Sequence, residues 1–190
     1  VVLEGTPSHD RKQSSAFVTT NQINQCAGYG PAKLHYVDKL SVLRLTNLGI
    51  TALMVPDEWG PTPADTLAQV HDLLAAEGLS KVDFAFMHGI FEYQLDFDGV
   101  AAHSSKAYLE LVSYLIFIGH VHKYSSLERI FSHGSFDRLA QGEEEPKGYL
   151  RFSLETDGSY EVRFIENTSA ATYKTIELDG GDITELLMEL

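Results

Sequence analysis

The sequence predicts an α/β fold, and three observations carry that reading. Short apolar runs rich in β-branched and aromatic residues, above all Val82–Met87 and Tyr114–Ile118, have the length of buried strands. Between the similar run Ile50–Val55 and Val82–Met87 lies a helical stripe made by Leu67, Val70, Leu73 and Leu74. Beyond His122 the pattern turns to β, in segments too short and too alternating for helices.

Taken in order, Val1–Leu3 reads as a strand, and Glu4–Asp10 as the loop at its end, with Gly5, Pro7 and Ser8 as turn formers. Arg11–Pro31 is polar and rich in Gln and Asn, and is expected to be a short helix or an irregular surface excursion. Leu34–Leu45 and Ile50–Val55 suggest two strands joined near Asn47-Leu48-Gly49. Thr62–Ala76 has the signals of a helix: Thr62 to cap it, Pro63 at the first helical position, Asp65 at the positive end, and Gly78 to stop it. Val82–Met87 follows as a buried strand running into His88-Gly89, and Ser104–Ser113 as a second helix. The next strand ends abruptly in Gly119-His120-Val121-His122, where glycine allows the chain to turn out of the sheet. Leu127–Ser132, Lys147–Glu155, Tyr160–Glu166 and Ala171–Leu178 read as strands, with Asp157-Gly158 as a hairpin turn and Asp182–Leu190 as a short terminal helix. No internal repeat or linker interrupts residues 1–190, which are expected to form one domain. The chain opens without methionine on an apolar strand already under way, so the fold is expected to be N-terminally incomplete, with residues upstream.

Composition narrows the function. At 190 residues with 44% hydrophobic and 22% charged residues, the chain can bury a real core. Its net charge of -13 argues against a broad basic surface that grips nucleic acid unaided. An acidic protein can still act on phosphates if bound cations or a basic partner supply the positive field. The single cysteine, Cys26, excludes an internal disulfide and fits a reducing compartment. No apolar run is long enough to span a bilayer, and a cytoplasmic location with no membrane partner is expected.

Three apolar strands each lead into a loop bearing histidine: His9, His88, and the pair His120 and His122. Strand ends in one sheet converge, so these side chains are expected to share a cleft, and neutral imidazoles suit Mn, Fe or Zn. Four histidines alone make an unusual hydrolytic centre, because a paired-metal site usually needs a bridging carboxylate. Asp10 is the one obvious carboxylate beside a motif, and further acidic ligands are expected from elsewhere, chiefly upstream.

The order G-x-x-S-H-D, M-H-G, G-H-V-H, then His133-Gly134-Ser135-Phe136-Asp137 and Lys147-Gly148-Tyr149, resembles calcineurin-like metallophosphoesterases. Within them it looks most like the Mre11/SbcD-type DNA repair exonucleases, including phage versions, across nearly the whole chain. The resemblance implies a four-layer αββα sandwich with two mixed sheets and two divalent ions, Mn2+ first and Mg2+, Fe2+ or Zn2+ as alternatives. It implies that His88 and His120 ligate one ion and His122 the other, with Ser8 standing where the family has a ligating asparagine. It makes His9 a general acid or charge stabiliser beside the scissile phosphate, oriented by Asp10. Arg11 and Tyr124 flank the motifs and are candidates for contact with DNA. The implied partners are DNA, a Rad50/SbcC-like SMC-type ATPase and a second copy of the chain. The family's D-x-H and G-D-x-x-D motifs do not precede His9, so the chain as it stands is expected to be a poor catalyst. The rivals are a phosphodiesterase of small molecules or nucleotides, and an inactive scaffold.

The remaining candidates have plainer readings. His35, His71 and His103 lack a motif, His133 is expected to be structural, and Glu143-Glu144-Glu145 reads as a solvated loop.

Overall fold

The computed structural model describes residues 1–7, 19, 35–95 and 99–173. Its centre is a mixed six-stranded sheet of order β3-β4-β5-β6-β8-β7. The strands are β3 (Ser41–Leu45), β4 (Ile50–Val55), β5 (Val82–Gly89), β6 (Val112–His120), β7 (Ser125–Leu127) and β8 (Ile130–Ser132). β4, β5, β6 and β8 run parallel, while β3 and β7 pair antiparallel at the two edges. The parallel centre explains the near-continuous apolar runs of β5 and β6, since strands covered on both faces need no polar side.

Each face has its own core. On one side, Leu53, Val55, Ala85, Met87, Ile116 and Ile118 of the sheet meet Val70 and Leu74 of helix α1 (Pro63–Ala76) and Tyr108 and Leu111 of helix α2 (Ser105–Leu111). On the other, Met54, Phe84, Leu115 and Phe117 meet two small sheets. One joins β1 (Val2–Leu3) in parallel to β2 (Tyr36–Val37), and the other is the antiparallel hairpin β9 (Gly148–Leu154) and β10 (Tyr160–Glu166). Among the described residues the fold is thus mixed α/β, with helices on one face of the central sheet and β structure on the other.

Local chemistry accounts for the element ends. Thr62 caps α1, its side chain accepting from the Asp65 amide, and Gly78 leaves the helix at φ +67°. α2 is shorter than its pattern suggests, because Val112 already belongs to β6. Arg129 secures that switch by donating to the carbonyls of Leu109, Val112, Ser113 and Tyr114.

Several expectations need correction. The segment 34–45 is two strands in different sheets, β2 and β3. Residues 127–132 belong to a hairpin, β7 and β8, turning at Glu128 with φ +51°. β1 pairs with β2 and lies outside the six-stranded sheet, although Thr6 in the loop after it still reaches the strand ends of that sheet. Of the strand expected over 171–178, Ala171–Tyr173 take no strand form, and the rest lies outside the described residues, as do the excursion 11–31 (Thr19 apart) and the helix 182–190. Among the described residues, no helix is long and apolar enough to cross a membrane.

Candidate metal centre

The site is built at the carboxyl ends of β4, β5 and β6, three adjacent parallel strands. Asp57 stands in the turn just after β4, His88 near the end of β5, and His120 at the end of β6. Sheet register places His88 opposite Gly119 and Gly89 opposite His120, so simple alternation would send the two imidazoles to opposite faces. His120 escapes that constraint with φ +112°, a conformation costly for a residue with a Cβ. Both imidazoles then meet one oxygen: His88 Nδ1 lies 3.1 Å and His120 Nδ1 3.2 Å from Asp57 Oδ2. The two rings sit edge to face, 5.3 Å apart.

Neighbouring residues hold this arrangement. Thr6 Oγ1 donates to Asp57 Oδ2 at 2.7 Å and lies 3.1 Å from His120 Nδ1. The Glu58 amide donates to Asp57 Oδ1. The turn is tied to α1 through Gly60 N–H to Thr66 Oγ1 and Trp59 Nε1–H to Gln69 Oε1. Two glycines leave room for the side chains. A Cβ at Gly119 would lie 3.1 Å from His88 Cδ2, and one at Gly89, where φ is +138°, 3.1 Å from His103 Nε2. Burial alone would raise the Asp57 pKa, but hydrogen bonds from His120, His88 and Thr6 outweigh it and hold the carboxyl well below the usual range.

Asp57, His88 and His120 lie close enough to hold a metal ion, each offering one ligand atom, all within 4.8 Å of one another. One carboxylate with two imidazoles suits Mn, Fe or Zn. The cleft beside them, about 520 Å³, is lined by His88, His120, His122 and His133. His122 stands apart from the three, half exposed, with Nδ1 2.7 Å from Glu143 Oε1. His133, expected to be structural, faces the cleft, and its pKa is lowered, chiefly by desolvation and further by nearby His88, against a backbone hydrogen bond at Gly134.

The structure therefore brings together His88 and His120 with His122 nearby, and adds Asp57, Thr6 and Glu143. Ser8, His9, Asp10 and Arg11 lie outside the described residues. Tyr124 packs its ring on Phe164 at 5.2 Å and is absent from the lining of the cleft. Glu143 corrects the expectation of a solvated acidic loop, because its carboxylate turns inward to His122 and to buried Lys147. The signal for Asp57 in the sequence is its place two residues past the apolar run Ile50–Val55, at the carboxyl end of a strand.

Compared with known proteins, the chain matches no protein-family model and no curated protein.

Proposed function

We propose that this chain hydrolyses phosphodiester bonds in DNA with divalent ions, as the nuclease subunit of an Mre11/SbcD-type repair or recombination complex. The observation that carries this reading is the convergence of Asp57, His88 and His120 at three parallel strand ends, beside a cleft that also holds His122. It supplies the carboxylate that a histidine cluster alone lacked. Ions held there, two in this reading and Mn2+ by preference, would act as Lewis acids on phosphate oxygens and offset their charge. Asp57, His88 and His120 would hold one, and His122 would serve the other, with Ser8 as a further ligand. Asp57, held as an anion by its neighbours, already carries the charge that suits a cation. His9 would give a proton to the leaving oxygen, with Asp10 orienting it. The four-layer αββα sandwich, with a helical layer outside the two small sheets, is part of the same reading.

The test is Mn2+ titration by calorimetry alongside cleavage of linear duplex DNA, for the wild type, Asp57→Asn and His120→Ala. Loss of a ligand is expected to weaken Mn2+ binding by at least about 100-fold, the upper range for merely supporting residues, and to abolish cleavage. Unchanged Mn2+ affinity in both variants would remove the metal centre, and with it the proposed chemistry. Cleavage of small aryl phosphodiesters but not DNA would transfer the reading to a small-molecule phosphodiesterase.

A further inference from the structure

Outside the three-residue cluster, the most unusual group is Lys147. Its side chain is only 1% exposed, yet an ammonium is rarely buried without a partner. It has two. Nζ donates to Glu143 Oε2 at 2.9 Å and to the His122 backbone carbonyl at 2.9 Å. The other oxygen of Glu143 lies 2.7 Å from His122 Nδ1. Lys147 thus grips His122 twice, directly at its backbone and through Glu143 at its ring.

The loop that carries Glu143 is shaped to present it. Leu139 N–H donates to Glu143 Oε2, and Arg138 Nε donates to the Glu143 carbonyl at 2.7 Å. Asp137 Oδ1 receives the amides of Arg138 and Ala171. Paired with the buried Lys147 ammonium and accepting the Leu139 amide, the Glu143 carboxyl is held as a carboxylate. An ionised carboxylate only accepts, so the proton between it and His122 resides on Nδ1.

We infer that Glu143 and Lys147 are positioning residues that fix His122 as its Nδ1–H tautomer, leaving Nε2 as the lone-pair donor at the mouth of the cleft. A neutral imidazole binds a cation only through an unprotonated nitrogen, and a hydrogen bond at the other nitrogen decides which one that is. This deepens the proposed function and rests on it for what Nε2 meets, either an ion or a proton of the substrate or its attacking water. The tautomer itself is a property of the metal-free chain, so its measurement stands or falls separately from nuclease activity.

The experiment is 15N–1H correlation NMR of the imidazoles in the full chain at pH 8 with chelator, His122 being assigned by its loss in His122→Gln. The wild type is expected to show a protonated Nδ1 and a bare Nε2, against the ordinary preference of free imidazole for Nε2–H. In Glu143→Gln the one amide oxygen is claimed by the Lys147 ammonium and the Leu139 amide, so the NH2 faces His122 Nδ1 and is expected to favour Nε2–H. Glu143→Ala removes the acceptor altogether and is also expected to return the ring towards Nε2–H, and to weaken binding of Mn2+ alone by about 10–100-fold. A wild-type ring already in the Nε2–H form overturns the inference with no variant needed. So does an Nδ1–H form that survives in folded Glu143→Ala.

Discussion

His103 lies under the rim of the candidate metal centre and behaves as a core aromatic. It is 6% exposed, edge-on to Tyr108 at 5.5 Å and to Phe91 at 6.0 Å, and its Nδ1 has no hydrogen-bond partner among the described residues. Burial lowers its pKa from the ordinary 6.5, although the charges of Asp57 and Glu92 pull the other way. The sign follows from linkage. The unfolded chain takes up this proton more readily, so stability is full above about pH 6.5 and is lost as the pH falls from there towards the lowered folded value. His103→Phe keeps the ring contacts and removes the proton site. Denaturant titrations from pH 8 to 5 should give a shallower acid loss in the variant, by at most about 1.4 kcal/mol per pH unit; parallel curves would show that this histidine charges freely in the folded protein. At this scale the sequence is unevenly legible. His88, His120 and His122 stood out because histidine after an apolar strand is chemically conspicuous. Asp57, Glu143 and Lys147 were equally visible as letters, but acidic and basic residues are common on solvated loops, and only packing shows that these turn inward.

Among the elements, the β9–β10 hairpin brings Lys147 to the site, and one glycine sets how closely it closes. Gly148 faces Glu166 in register, its amide donates to the Ser135 carbonyl, and the Asn167 amide donates to the Lys147 carbonyl. A Cβ at Gly148 would collide with the Ile165 carbonyl oxygen and crowd the Phe164 ring, and backbone cannot step aside as a flexible side chain can. Gly148→Ala should therefore destabilise the protein by about 1–3 kcal/mol, the usual range for overpacking, and loosen Lys147. Chemical denaturation measures the first effect; an unchanged midpoint would mean that the hairpin shifts without cost. The strands and α1 were legible because periodicity, a capping threonine and terminal glycines act within a few residues of one another. What the pattern could not give was pairing. β2 and β3 are neighbours in sequence yet lie in different sheets, and β1 shares no hydrogen bonds with the strands its histidine loop was grouped with. Sheet membership is decided by long-range contacts that no local window contains.

For the molecule as a whole, charge sets the terms on which the proposed substrate is met. With 14 Lys and Arg against 27 Asp and Glu, the chain repels a polyanion at a distance, even though its cleft could hold cations. Binding to duplex DNA draws its affinity mainly from phosphate neutralisation, so this chain alone should bind it weakly. A Rad50/SbcC-like ATPase with a basic surface would remedy that, whereas a small diester needs only the cleft and its ions. The two substrates should therefore separate in one experiment. With Mn2+, the chain alone is expected to hydrolyse a small aryl phosphodiester slowly, with turnover changing little between 50 and 200 mM salt. Cleavage of linear duplex DNA should be slow alone and should rise at least about tenfold when the ATPase is added, with a salt dependence typical of phosphate contacts. His120→Ala should abolish both reactions, because both depend on the same ligands. If the ATPase leaves DNA cleavage unchanged while the small ester is still turned over, the cleft is a phosphodiesterase site without the proposed partner. If neither substrate is cleaved although Mn2+ binds at Asp57, His88 and His120, the centre is structural, and the chain acts as a scaffold.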